Sequence, residues 1–174
     1  ICTVAACRSA CGPHGPPVSV APGGEMKVAG ASAWVAADWT VFESKVRWAF
    51  EQRLDTLPLG AAMAEIGRSL VGSAYVPGTL EVEGPERLVI NFQGLDCVTF
   101  VENVWALSSF VRTIGGAFGA DATQTLANRP LTDDRYESLP RRVRYRARTT
   151  DGYSRRLHDF SARTGDARSQ GARV

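Results

Sequence analysis

Imidazole and thiol groups are scarce in this sequence. It holds two histidines and four cysteines, and three of the cysteines crowd into the first eleven residues. That leaves Cys97 and His158 as the only such groups beyond His14. No apolar run approaches the roughly 18 residues that a spanning helix needs, which excludes a transmembrane helix within the sequence. The paired Cys-x-x-Cys spacing of common zinc frameworks is missing. Cys2, Cys7, Cys11 and His14 stand five, four and three residues apart, so they are read as cysteines and a histidine of an irregular segment, and no metal or cofactor is expected. Nor is there the interleaving of aromatic and basic residues that marks a nucleic-acid module, so no nucleic-acid partner is expected. The first residue is Ile1, and no positive-then-apolar order follows it, so the chain reads as mature, processed or a fragment.

What is present is the material of one ordinary domain: 174 residues, 44% hydrophobic and 22% charged. The net charge of +2 hides an asymmetry, because eleven arginines face four acids from Arg135 onward. Clustered guanidinium groups bind polyanions by releasing counterions, and they equally serve as a solvated basic end.

Residues 1 to 33 are rich in Gly, Pro, Ala and Ser and are read as a disordered or processed leader. A helical zone follows. Thr40 and Glu43 have capping-box spacing, and Phe42, Val46, Ala49, Phe50 and Leu54 fall on one helical face. A second helix is expected after Pro58, striped by Leu59, Ala62, Met63, Ile66 and Leu70 and stopped near Gly72, packing on the first as a hairpin. The period then changes: Leu88, Ile90 and Phe92 alternate with Arg87, Val89 and Asn91 as in a half-buried strand. Gly94 ends it. From Cys97 the positions Val101, Val104, Trp105, Ser108 and Val111 return to helical spacing. The fold class expected is α+β, a helical N-terminal part packed on a small antiparallel sheet. The segment from Tyr153 to Phe160 is expected to add a strand.

Cys97 therefore falls at a helix start. Unsatisfied N–H groups and the positive end of the macrodipole favour a thiolate there, and the same groups can hold an oxyanion. The competing reading is a packed, inert cysteine. A nucleophile needs a base, and His158 is the candidate, distant in sequence as dyads assembled in space often are.

Three stretches carry a resemblance: "VGSAYVPGTLE" (Val71 to Glu81), "LVINFQGLDCVTFVENVWAL" (Leu88 to Leu107) and "RVRYRARTTDGYSRRLHDFS" (Arg142 to Ser161). Together the sequence resembles the family of N-acetylmuramoyl-L-alanine amidase-like proteins, which share the NlpC/P60-type papain-like cysteine peptidase fold. The resemblance implies an amidase-like domain over residues 34 to 161, with Cys97 as nucleophile and His158 as general base. It implies supporting roles near the oxyanion for Tyr75, Asp96 and Thr99, with Asp96 a candidate cap, and it makes Glu102 a further motif position. Arg144, Arg146, Tyr153 and Arg155 match the histidine-side motif, where substrate contact and loop bracing both remain open. The implied substrate is a peptidoglycan fragment, the implied setting a bacterial cell envelope or periplasm, and the expected state a monomer.

After "RRLH" the text departs from the family pattern. Asp159 replaces an aromatic, and residues 162 to 174 read as a disordered basic tail. The sequence thus leads us to expect a sheet incomplete at its C-terminus, in a truncated member with a marginal fold. An inactive muropeptide-binding module and a polyanion-binding fragment stand as the alternatives to an enzyme.

Overall fold

The computed structural model describes residues 34–118, 122–158 and 160–169. The expected leader and its three cysteines lie outside the described residues, as do residues 170–174. Among the described residues, six α-helices run in order: α1 (Ala36–Glu51), α2 (Leu59–Ser69), α3 (Cys97–Phe118), α4 (Ala122–Ala127), α5 (Arg129–Arg144) and α6 (Phe160–Ser169). Two short strands, β1 (Ala74–Tyr75) and β2 (Gly94–Leu95), complete a mostly helical α+β fold.

The strands pair in parallel, Ala74 with Gly94 and Tyr75 with Leu95, which corrects the expected antiparallel sheet. The reason is the path between them. Residues 76–93 make a long excursion that brings the chain back in its original direction, the kind of crossover that parallel pairing requires. Antiparallel pairing occurs as an isolated bridge between Tyr145 and Arg156. Residues 160–169, expected as part of the histidine strand and an aperiodic tail, instead form α6, which packs on α5. Its two arginines and two alanines are good helix formers.

The α1 stripe lies inside as its spacing predicts, with Phe42, Val46 and Ala49 fully buried. The expected capping box is not formed, because the helix starts a turn earlier with Val35 at the N-cap. Thr40 Oγ1 donates back to the Ala36 carbonyl at 3.1 Å, and Glu43 pairs with Arg47 at 2.8 Å. Helix α2 begins after Pro58 and buries Ala62 and Ile66, yet it packs chiefly on α3, so the α1–α2 hairpin is corrected. The cause is the centrality of α3. Ala106, Leu107 and Val111 are fully buried, and α1, α2 and α5 all lean on it. Only Val101 of its expected stripe faces solvent. The aromatic centre of the core sits between α1, α3 and α5, where the Phe42 ring lies 4.6 Å from Tyr136 and 5.5 Å from Phe110.

The segment from Arg87 to Phe92 buries Leu88, Ile90 and Phe92 as the alternation predicts, but it is not a laddered strand. Side chains meet much of its backbone bonding. Arg144 Nη1 donates to the Val89 carbonyl at 2.6 Å, Asn103 Nδ2 to the Asn91 carbonyl at 2.7 Å, and the Tyr145 hydroxyl to the Arg87 carbonyl at 3.0 Å. Buried Asp38 accepts from Phe92 N at 2.7 Å and Gln93 N at 3.2 Å.

Asp38→Ala would leave Phe92 N–H without its acceptor, whereas Gln93 N–H retains Asn91 Oδ1 at 2.9 Å, so a loss of about 1–3 kcal/mol is expected in urea unfolding. Asp38→Asn retains an oxygen acceptor and should cost much less. Burial pushes the Asp38 carboxyl up, against the two backbone bonds that pull it down. With the folded pKa raised, the folded state binds the proton more readily than the unfolded chain. The stability of the wild type relative to the asparagine variant is therefore greatest below the unfolded carboxylate pKa. It falls as pH rises through the raised value.

Candidate active site

The nucleophile candidate is set by the turn from β2 into α3. Asp96 is the cap: its Oδ1 accepts from Val98 N at 3.0 Å, Thr99 N at 2.8 Å and the Thr99 hydroxyl at 2.8 Å. Thr99 Oγ1 in turn accepts from Asp96 N at 2.9 Å, a reciprocal arrangement of capping-box type. Burial pushes the Asp96 carboxyl up, but hydrogen bonds from Thr99, Val98 and Gly78 outweigh it and hold the group below its ordinary value. Cys97 is the first residue of α3 and is exposed. Since Asp96 takes the Val98 and Thr99 N–H groups, Cys97 N–H is the first-turn donor that the cap leaves to a ligand.

Tyr75 sits on β1, beside the strand that leads to Cys97, and is 72% exposed. The two strands approach closely because position 94 carries no side chain. A Cβ at Gly94 would lie 2.5 Å from Val76 Cγ2. Gly94→Ala is thus expected to cost about 1–3 kcal/mol by overpacking and to lower Cys97 reactivity with it. Adding Val76→Ala should restore part of the thermal midpoint. No recovery in that double variant would count against the contact.

His158 arrives by a different route from the expected strand. Gly152 adopts φ 146° and ψ 153°, a region essentially closed to other residues, and sends the chain into a 3₁₀ turn at Tyr153–Arg155. Arg156 then bridges to Tyr145, and Leu157 N donates to the Arg144 carbonyl at 2.7 Å. Arg156 is buried, its Nη1 donating to the Leu80 carbonyl at 2.6 Å and its Nη2 to both Glu81 oxygens at 2.7 and 2.8 Å. This anchors the histidine segment to the loop that follows β1. His158 itself is exposed. A small groove is lined by Gly78, Leu80, Asp96, Val98, Arg156 and His158. The start of α3, on both sides of Cys97 in sequence, and the histidine thus border one depression.

The remaining motif residues divide sharply. Arg144 is only 3% exposed, and its Nε and Nη2 donate to Glu102 Oε2 at 3.0 and 2.6 Å, while Nη1 holds Val89. All three of its nitrogens are engaged inside the protein, which is the geometry of a brace. Glu102, equally buried, is its partner on α3. Arg146, Arg155 and Tyr153 are exposed, and Arg155 lies 3.4 Å from Asp151. The sequence reading misses Arg156, Glu81 and Tyr145. The signal was the Arg155-Arg156 doublet, of which Arg155 ends the exposed 3₁₀ turn while Arg156, extended just after it, is buried. Among the described residues, no group of three or more His, Cys, Asp or Glu side chains is disposed to hold a metal ion, and no helix is long and apolar enough to cross a membrane.

The N-acetylmuramoyl-L-alanine amidase-like (AmiA-like) family profile matches residues 65–172. Two crystal structures of an N-acetylmuramoyl-L-alanine amidase from Bacteroides uniformis are similar to this chain, each with a TM-score of 0.50. One is 29% identical over 65% of this chain and 41% of that one, the other 30% identical over 62% and 40%. The chain thus spans about two-fifths of the length of these relatives. No curated protein matches it. The chain belongs to the N-acetylmuramoyl-L-alanine amidase-like family.

Proposed function

We propose that this chain is a cysteine amide hydrolase of papain-like, NlpC/P60 type, acting on peptidoglycan fragments at the bond between N-acetylmuramic acid and L-alanine. The observation that carries the reading is the groove shared by the capped start of α3 and His158. Cys97 gives its proton to His158, and the thiolate attacks the amide carbonyl. Cys97 N–H holds the oxyanion, the His158 imidazolium protonates the departing amine, and water, with His158 as base, then cleaves the thioester. Asp96 and Thr99 support the helix start, and Tyr75 shapes the oxyanion side. Exposed Arg146 and Arg155 suit the carboxylates of an acidic muropeptide, whereas Arg144 braces. The protein works as a monomer in the bacterial cell envelope or periplasm.

The deciding experiment alkylates Cys97 with iodoacetamide from pH 4 to 10 in the wild type and in His158→Ala, alongside mass-spectrometric assay of an N-acetylmuramoyl peptide. In the acid half of that range alkylation should be faster in the wild type than in the variant, and the wild type should release a peptide bearing a free N-terminal alanine. An alkylation profile unchanged by the mutation would sink the dyad. Protection of Cys97 by a muropeptide that is never cleaved would point to a binding module instead.

A further inference from the structure

Tyr153 matches a motif position for which substrate contact and loop bracing were both open, and it is more than half exposed. Its surroundings on the protein side suggest another role. The Tyr153 and His158 rings stack with centroids 4.5 Å apart and planes tilted by 43°. The Arg156 guanidinium carbon lies 4.7 Å from the Tyr153 ring centre, over its face. Arg156 is itself fixed by the Leu80 carbonyl and the Glu81 carboxylate, with Glu86 3.8 Å away. A rigid anchor thus holds an aromatic ring, and the ring holds an imidazole that has solvent on another side. The turn is built for this. Arg155 N and Arg156 N close it onto the carbonyls of Gly152 and Tyr153, each at 3.0 Å, folding Tyr153 back over a residue five places on.

We propose that Tyr153 is a positioning residue: it fixes the His158 imidazole by stacking, with Arg156 as its backstop, and does not act by binding substrate. The inference rests on His158 being the base. An offset aromatic pair favours one ring orientation over the many open to an exposed histidine. Misplacement of a catalytic group by about 1 Å can cost a hundredfold in rate. Tyr153→Leu should therefore lower kcat by about tenfold or more with KM little changed, and Tyr153→Phe, which retains the ring, should restore most of it. A substrate ligand would give the opposite pattern: KM rises, kcat holds, and phenylalanine fails wherever the hydroxyl made the contact.

The spectroscopic test needs no turnover. The chain has two histidines, so the His158 ring resonances are assigned by their loss in His158→Ala. Tyr153→Leu should move them by removing the ring current, while Tyr153→Phe should leave them close to wild type. Unmoved resonances in the leucine variant overturn the proposal, as does a rise in KM at constant kcat. Should the wild type cleave no muropeptide, the proposed reaction fails by itself, and the resonances still decide whether Tyr153 orients His158.

Discussion

Cys97→Ala is expected to abolish muropeptide hydrolysis, lowering kcat by about 10⁴- to 10⁶-fold, while the melting temperature stays within a degree or two of wild type. The size follows from the proposed route, because without the thiolate no covalent intermediate forms and only binding and the backbone donor remain. The small structural cost follows from position. Cys97 is exposed, and the cap uses Asp96 and Thr99, not the cysteine side chain. His158→Ala should cost a comparable factor, and the double variant little more than either alone, since groups that act as a unit lose their contribution together. Residual rates within tenfold of wild type in Cys97→Ala would end the case for a cysteine hydrolase. A large loss of stability in that variant would mean that Cys97 is a packed residue after all.

Much of the helical frame is legible from the sequence because periodic burial depends on spacing alone. Phe42, Val46 and Ala49, then Ala62 and Ile66, are inside for that reason. Cys97 at the first turn of α3 is legible too, since Gly94 and Asp96 announce a break and a cap. What depends on distant partners is not legible. The alternation at Leu88, Ile90 and Phe92 predicts which side chains are buried but not that pairing is confined to a bridge at Val89, with Arg144, Asn103, Tyr145 and Asp38 bonding the rest. Parallel pairing of β1 and β2 is settled by the course of residues 76–93, which no local pattern encodes. The sequence reading assigns no element to residues 122–144, which form α4 and α5. Helix α5 is dense in charge and holds Pro130 and Pro140, so its apolar signal is thin even though Tyr136 is fully buried in the core. In the Arg-Tyr-Arg motif, Arg144 is buried and Arg146 is exposed, and the cause is Glu102, 42 residues earlier in the chain.

Glu102→Ala is expected to destabilise the protein by about 3–5 kcal/mol, the usual cost of leaving one member of a buried ion pair without its partner. Both side chains are only 3% exposed, so water cannot take over from the lost carboxylate. Burial already pushes the Arg144 guanidinium below its ordinary pKa, yet a guanidinium does not give up its proton under ordinary conditions. The charge must then remain buried or drag α5 open. Against a typical net stability of about 5–15 kcal/mol, that loss takes a substantial fraction of the fold. Glu102→Gln retains an acceptor and should fall between alanine and wild type. Replacing both partners, as in Glu102→Leu with Arg144→Met, should recover much of the loss. It should fall short of wild type by about 1–3 kcal/mol, because the Val89 carbonyl loses its donor. The effect also reaches the histidine: the Arg144 carbonyl accepts from Leu157 N, so displacement of Arg144 moves the segment that carries His158. Glu102→Gln is accordingly expected to lose activity beyond what its unfolded fraction explains. Urea unfolding followed by tryptophan fluorescence reads the stability directly, since Trp34 and Trp39 pack in the aromatic core. A Glu102→Ala variant within about 1 kcal/mol of wild type would mean that Glu102 and Arg144 are not a buried pair in solution. The path from the core to His158 through Arg144 would then be lost.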